Sequence, residues 1–190
     1  MQPSVKRSLH RSVLIVEDEP DLAEFYASTL STDFNITTVS TAEAALASID
    51  TATDIVLLDR RLPDQSGTEV LKAIRDRDLP CRVILITGVK PDFDIIGLGF
   101  DDYLVKPVSP TELRRAVDQS LLVDEYNEKH RQLTSDRLTR NLLQIEKMDH
   151  DLQDNVEYHQ LLDRIGRLEQ ELGRIESVLD PDVLDAGFVA

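Results

Sequence analysis

The stretch Ile55-Val56-Leu57-Leu58-Asp59 decides the fold: an apolar run of strand length, β-branched at its start, ends abruptly on an acid. Such a run fits a strand buried on both faces. Val13-Leu14-Ile15-Val16, the segment Phe34 to Val39, Val83-Ile84-Leu85-Ile86 and Tyr103-Leu104-Val105 read the same way. Helical stretches fall between them at 20–30, 41–50, 67–77 and 91–98, and another begins near 110. Strands that alternate with helices predict an α/β domain, a doubly wound five-stranded parallel sheet. The apolar runs are far shorter than the about 20 residues a membrane helix needs, so membrane insertion is not expected.

Beyond Thr111 the alternation stops, and no proline follows until Pro181. Leu161, Ile165, Leu168, Leu172, Ile175 and Leu179 recur at spacings of four and three, the seam of a coiled coil. A weaker seam runs through Leu138, Leu142, Ile145, Asp149, Leu152 and Val156. Two helical segments therefore meet within 146–158, either as an antiparallel hairpin or as one interrupted coiled coil. The expected organisation is a flexible N-terminus over 1–10, the α/β domain over 11–120, an all-α, coiled-coil-like domain over 121–180 and a tail over 181–190.

The 190 residues hold 36 acids against 21 bases, a net charge of −15. Residues 120–190 contribute 16 acids and 8 bases, hence −8, which leaves −7 for residues 1–119. Neither half suits DNA or RNA as a partner. Asp outnumbers Glu by 23 to 13 and Arg outnumbers Lys by 15 to 6, a bias that resembles the proteins of salt-accumulating halophiles. The single cysteine, Cys81, excludes an internal disulfide and a cysteine-based zinc site, and reads as core packing. Lys6, Arg7 and Arg11 are followed by no apolar stretch of signal-peptide length, which predicts a cytoplasmic protein.

Glu17-Asp18-Glu19 follow the first strand, Asp59 the third, Thr87 the fourth and Lys106-Pro107 the fifth. In a parallel sheet all of them reach one edge, where doubly wound sheets bind ligands. Acids that converge repel one another unless a cation holds them, and oxygen ligands suit magnesium. A hydroxyl and an ammonium at the same edge supply a donor and a counter-charge for a phosphoryl oxygen. The chemistry these residues point to is phosphoryl transfer to a carboxylate.

Val16-Glu17-Asp18-Glu19-Pro20, the segment Val56 to Gly67, Ile86-Thr87-Gly88 and the segment Asp101 to Pro107 together resemble the receiver domain of two-component response regulators, over about residues 11–120. The resemblance implies a flavodoxin-like receiver in which Asp59 accepts a phosphoryl group from a sensor histidine kinase. It further implies Mg2+ held by Asp18, Asp59 and the Arg61 backbone carbonyl, with Glu17 acting through water. Lys106 would pair with the phosphate and Thr87 would hydrogen-bond it. Tyr103 would change rotamer with the phosphorylation state, and Pro107 would follow a cis peptide. Such a protein is a phosphoprotein switch rather than an enzyme, apart from the loss of its own phosphoryl group.

The receiver and the acidic helices behind it resemble receivers followed by the HalX domain of halophilic archaea. Output is then expected through protein contacts of the C-terminal helices, with an unidentified output protein or a second copy of the chain as partner. Two alternatives stand beside this reading. A transcription regulator would have to bind DNA without a basic domain. A magnesium-dependent phosphatase with its own aspartyl phosphate would want Asp-x-Asp, whereas Arg60 and Arg61 follow Asp59. Thr87 and Lys106 are 19 residues apart, about three fewer than in many receivers, so the fourth helix is expected to span little more than Pro91 to Leu98. His150-Asp151-Leu152-Gln153 resembles the phosphoacceptor motif of kinase helices but lacks the basic residue and proline after it. It reads as a solvated helix histidine, and His10, His130 and His159 have no metal-site spacing.

Overall fold

Runs of β-branched and leucine residues, which fit a pleated surface, form the strands β1 (Ser12–Val16), β2 (Asn35–Val39), β3 (Ile55–Asp59), β4 (Arg82–Thr87) and β5 (Asp102–Val105). The computed structural model describes residues 11–91 and 93–180, so the expected N-terminal segment 1–10 and tail 181–190 lie outside the described residues. The strands make one five-stranded sheet of order β2-β1-β3-β4-β5, parallel throughout. Helices α1 (Pro20–Leu30), α2 (Ala42–Ser48) and α3 (Gly67–Asp76) make the first crossovers, and α4 (Pro110–Glu146), α5 (Asp149–Gln153) and α6 (Val156–Glu176) follow the sheet. The chain divides into two compact units between Asp118 and Gln119.

In the first unit, Leu14, Val16, Val56, Leu58, Val83 and Leu85 form one core layer with Ala42, Ala45, Val70, Leu71 and Ile74 of α2 and α3. Alternate residues point to the opposite face, where Val13, Ile15, Ile55, Leu57, Ile84 and Ile86 are equally buried. The expectation that every strand is buried on both faces fails at the edges: β2 is largely exposed and β5 only half-buried. An edge strand has one neighbour and needs polar side chains against solvent, which Thr37 and Thr38 provide.

The helix expected at 91–98 is reduced to one 3-10 turn, Phe93–Ile95. Pro91 stands before it, while Gly97 and Gly99 after it take positive φ of 76° and 75°. Too few residues remain between these punctuation points to offset helix nucleation. Arg75 holds the rest of the connection, donating to the Gly99 carbonyl at 2.7 Å, the Cys81 carbonyl at 2.9 Å and Asp101 at 2.6 Å. Asp101 also accepts from Arg82 and from the Val83 N–H, each at 2.6 Å.

In the second unit α6 pairs antiparallel with the later turns of α4. Lys129 meets Glu171 at 2.5 Å, Arg137 meets Glu169 at 2.9 Å, and Arg164 grips both oxygens of Asp136 at 2.6 and 2.8 Å. Nearer the start of the pair, Tyr126 Oη donates to Glu176 at 2.8 Å. Of the two arrangements left open by the sequence, the hairpin within one chain is the one formed. All six residues of the stronger seam, from Leu161 to Leu179, are buried together with Val123, Tyr126, Leu133 and Leu152. The weaker seam is overturned: Leu138, Leu142, Ile145 and Val156 are exposed, and Leu152 alone of its apolar members is buried. The buried side of α4, which carries Val123, Tyr126 and Leu133, also contains Lys129 and Asp136, and these pair with Glu171 and Arg164 of α6.

Truncation should distinguish the two seams. Ile165→Ala is expected to cost about 2–5 kcal/mol, and Val156→Ala to stay within about 0.5 kcal/mol of wild type. Urea unfolding followed by the helical circular dichroism signal checks this, and equal losses would contradict the burial assigned to the seams.

Candidate functional site

Parallel register brings the strand ends together: Val16 lies beside Leu58, Asp59 beside Ile86 and Thr87 beside Val105. Glu17, Asp18, Asp59, Thr87 and Lys106 consequently meet at one edge of the sheet. Glu17, Asp59 and Thr87 are buried, whereas Asp18 is exposed. The Lys106 Nζ donates to Asp59 Oδ2 at 2.5 Å and to the Glu17 carboxylate at 2.9 Å, with Glu19 at the fringe, 3.7 Å away. The Arg61 N–H donates to Asp59 Oδ1 at 2.8 Å. Both oxygens of Asp59 are therefore aimed by donors.

Burial pushes the Glu17 carboxyl up from 4.5 to about 7, against the opposing pull of Lys106. Burial disfavours the Lys106 ammonium too, but its hydrogen bonds to Asp59 and Glu17 outweigh that effect and hold it above its ordinary value. Beneath the site the Tyr26 phenol is pushed up to about 12, chiefly by burial. One ammonium thus faces three acids. Glu17, Asp18 and Asp59 each offer a carboxylate oxygen, all within 4.8 Å of one another. An acidic, all-oxygen donor set of this kind fits a magnesium ion. His130, His150 and His159 join no such cluster among the described residues.

Thr87 and Tyr103 converge on the backbone of Val89. The Val89 N–H donates to Thr87 Oγ1 at 3.2 Å, and Tyr103 Oη donates to the Val89 carbonyl at 2.8 Å. Tyr103 is half-buried against the core layer and stands 5.7 Å from the Phe100 ring. Lys106 is tied to Thr87 through its own N–H, which donates to the Thr87 carbonyl at 2.8 Å, and the Lys106-Pro107 peptide is cis.

Two positioning residues escape the sequence reading. Asp64 reaches back from the loop after β3 to accept from the Ala42 and Glu43 N–H groups at 2.9 and 3.0 Å, capping α2; these bonds hold its carboxyl below its ordinary value. Gly67 opens α3 so close to β3 that a Cβ there would lie 2.1 Å from the Asp59 carbonyl oxygen. Any larger residue would displace the strand end that carries Asp59. The Asp-Gln-Ser-Gly run after Pro63 signals a turn, but not which helix the Asp64 carboxylate reaches.

Glu17 binds its proton more tightly in the folded chain, so its contribution to stability is present below about pH 4.5 and is lost as pH rises through about 7. In chelator, Glu17→Gln should flatten the fall in thermal stability across this window, by on the order of 2 kcal/mol at its upper end. Parallel profiles for the two proteins would mean that Glu17 does not titrate there.

Comparison with known proteins assigns both parts of the chain to known families. The family model of the response regulator receiver domain matches residues 13–118, and that of the HalX domain matches residues 122–188. A candidate transcriptional regulator of Haloferax volcanii is 43% identical over 118 residues, 62% of this chain and 20% of that protein. The sensory transduction protein RegX3 of Mycobacterium tuberculosis is 48% identical over 107 residues, 54% of this chain and 47% of that one. The chain thus spans a fifth to a half of the length of these curated relatives. The Thermotoga maritima response regulator TrrA, solved in complex with Mg2+-BeF, is 30% identical with a TM-score of 0.52, over 58% of this chain and 98% of that one.

Proposed function

The chain belongs to the response regulator receiver family, with a HalX domain following the receiver, and from that premise we propose that Asp59 accepts a phosphoryl group from a sensor histidine kinase. The observation that carries this reading is the setting of Asp59, gripped by Lys106 and the Arg61 N–H beside Glu17 and Asp18. An Asp59 carboxylate oxygen forms the new O–P bond as the N–P bond to the kinase histidine breaks, and the electron pair of that bond returns to the imidazole. Asp18, Asp59 and the Arg61 carbonyl would hold Mg2+, with Glu17 reaching it through water. Bound there, the ion would supply positive charge to offset that on the phosphoryl oxygens. Lys106 turns from Asp59 to a phosphoryl oxygen, a charge-assisted contact.

The Thr87 hydroxyl bonds the phosphoryl group and gives up the Val89 N–H. The Val89 segment then shifts, and Tyr103, bonded to the Val89 carbonyl, changes rotamer with it. The chain is a switch of the cytoplasm, not an enzyme with a separate substrate, and its turnover is confined to loss of its own phosphoryl group. The output runs along α4, whose residues Leu113 and Val117 are buried in the first unit and whose later residues Val123 and Tyr126 belong to the hairpin core. An output protein or a second copy reads the change. The alternative of DNA binding draws support from the Haloferax volcanii relative's description, but the acidic helices of the second unit offer phosphates little attraction.

Treatment with acetyl phosphate and Mg2+ should add the mass of one phosphoryl group to the wild type and none to Asp59→Asn. Lys106→Ala should lower the rate of uptake by about 100-fold or more, whereas the exposed Lys90→Ala should leave it unchanged. Undiminished labelling of Asp59→Asn would overturn the assignment. Hydrogen exchange should change across residues 120–180 when Asp59 carries a phosphate analogue; identical protection with and without it would return the output to the receiver surface.

A further inference from the structure

Helix α2 has a cap of its own: the Thr41 hydroxyl accepts from the Ala44 N–H at 3.1 Å. The Ala42 and Glu43 N–H groups remain as first-turn donors without a partner inside the helix. Both are taken by Asp64, 22 and 21 residues further along the chain, one by each carboxylate oxygen. A second residue of the same loop, Ser66, accepts from the Thr68 N–H at 3.3 Å and caps α3. One short loop therefore caps two helices, and both pack on the same core layer of the sheet. The far end of α2 is fastened as well, since Arg77, which closes α3, donates to the Leu46 carbonyl at 3.0 Å.

The loop is closed at its base. The Gly67 N–H donates to the Arg60 carbonyl at 2.9 Å, and Arg61 and Ser66 pair as an antiparallel bridge, with residues 62–65 as the tip between them. Arg61 stands beside the reacting carboxylate, its N–H donating to Asp59 Oδ1 at 2.8 Å. A base of two paired residues can hinge where it joins β3. Leu62, packed against the core, and Asp64, bonded to a helix that is itself held at both ends, remove that freedom. Bonds from backbone N–H groups to an ionised carboxylate are strong enough to serve as such a hold. Asp64 is exposed and is not among the acids gathered at the site, so salt screens its charge and what it contributes is position.

We propose that Asp64 is a positioning residue for the cation site: by fastening the loop tip to α2 it holds the Arg61 backbone, N–H and carbonyl alike, in place beside Asp59. The inference rests on the reading given above, in which the Arg61 carbonyl is a ligand of the ion.

Amide NMR on the isotope-labelled full chain in molar potassium chloride tests it. Titrated with Mg2+ alone, Asp64→Ala should bind about 10-fold more weakly than the wild type. Asp64→Asn, uncharged but an equally good cap, should match the wild type, and the shorter Asp64→Ser should fall between the two. Thr41→Ala, which removes the other cap of α2 and leaves the loop tip alone, should speed exchange of the Ala44 N–H without changing the affinity. In chelator the Arg61 and Gly67 N–H groups should exchange faster in Asp64→Ala than in the wild type. The proposal is overturned if Asp64→Asn weakens binding as much as Asp64→Ala, since charge would then be the cause. It is equally overturned if Thr41→Ala does so, through general loosening of α2, or if Asp64→Ala leaves either the exchange of Arg61 or the affinity unchanged. A wild type that takes up no Mg2+ overturns the cation reading and this proposal with it, whereas wild-type binding that Asp64→Ala leaves intact overturns the proposal alone.

Discussion

Two carboxylates, Glu17 and Asp59, lie almost out of solvent at the ends of neighbouring strands, and the ammonium of Lys106 between them is what makes that burial tolerable. Removing the ammonium would leave buried acid without its counter-charge, at a cost of about 3–5 kcal/mol. The constraint reaches back into the topology. Lys106 follows β5, two strands away from β3 in the sheet, so its side chain meets Asp59 only when β4 separates the two and all strands run the same way. The close approach of α3 at Gly67 and the cap that Asp64 places on α2 then anchor the loop after Asp59 on both sides. The one ammonium leaves the cluster acidic, and an acidic set of oxygen donors fits a divalent cation.

At the other end of β4 a second polar cluster takes over a task that helices usually perform. Among the described residues the connection from β4 to β5 contains one 3-10 turn, so little apolar surface is available to fasten it. Arg75 binds two carbonyls and Asp101, and Asp101 in turn binds Arg82 and the Val83 N–H. Near the site the same connection hangs on Val89, held by Thr87 from one side and Tyr103 from the other. The segment between these two anchor points leaves Phe93 and Ile96 in solvent. Between its two anchors the connection therefore has few buried apolar contacts among the described residues.

The hairpin shows how an acidic chain builds a helical pair. Its bases are few, yet Lys129, Arg137 and Arg164 each face an acid on the other helix. Pairs at an exposed border contribute little to stability individually, and here they flank an apolar core that includes Tyr126, Leu133, Ile165 and Leu168. Asp136 is the telling case: a buried acid among leucines is acceptable because Arg164 satisfies both of its oxygens.

The sequence by itself determined the local and periodic features: the apolar runs of the central strands, the acids, threonine and lysine that terminate them, and the α6 seam from Leu161 to Leu179. Each is legible because its physical cause lies within a few residues, in side-chain alternation, heptad spacing or a strand end. The exposure of β2, the loss of the helix after Pro91, the reach of Asp64 to α2 and the grip of Arg75 on the Gly99 carbonyl belong to the tertiary structure. So does the buried side of α4, where spacing alone favours Leu138, Leu142 and Ile145 over the side actually used. Partners such as Asp136 and Arg164, 28 residues apart, meet only after the chain has turned back on itself, and no local pattern brings them together.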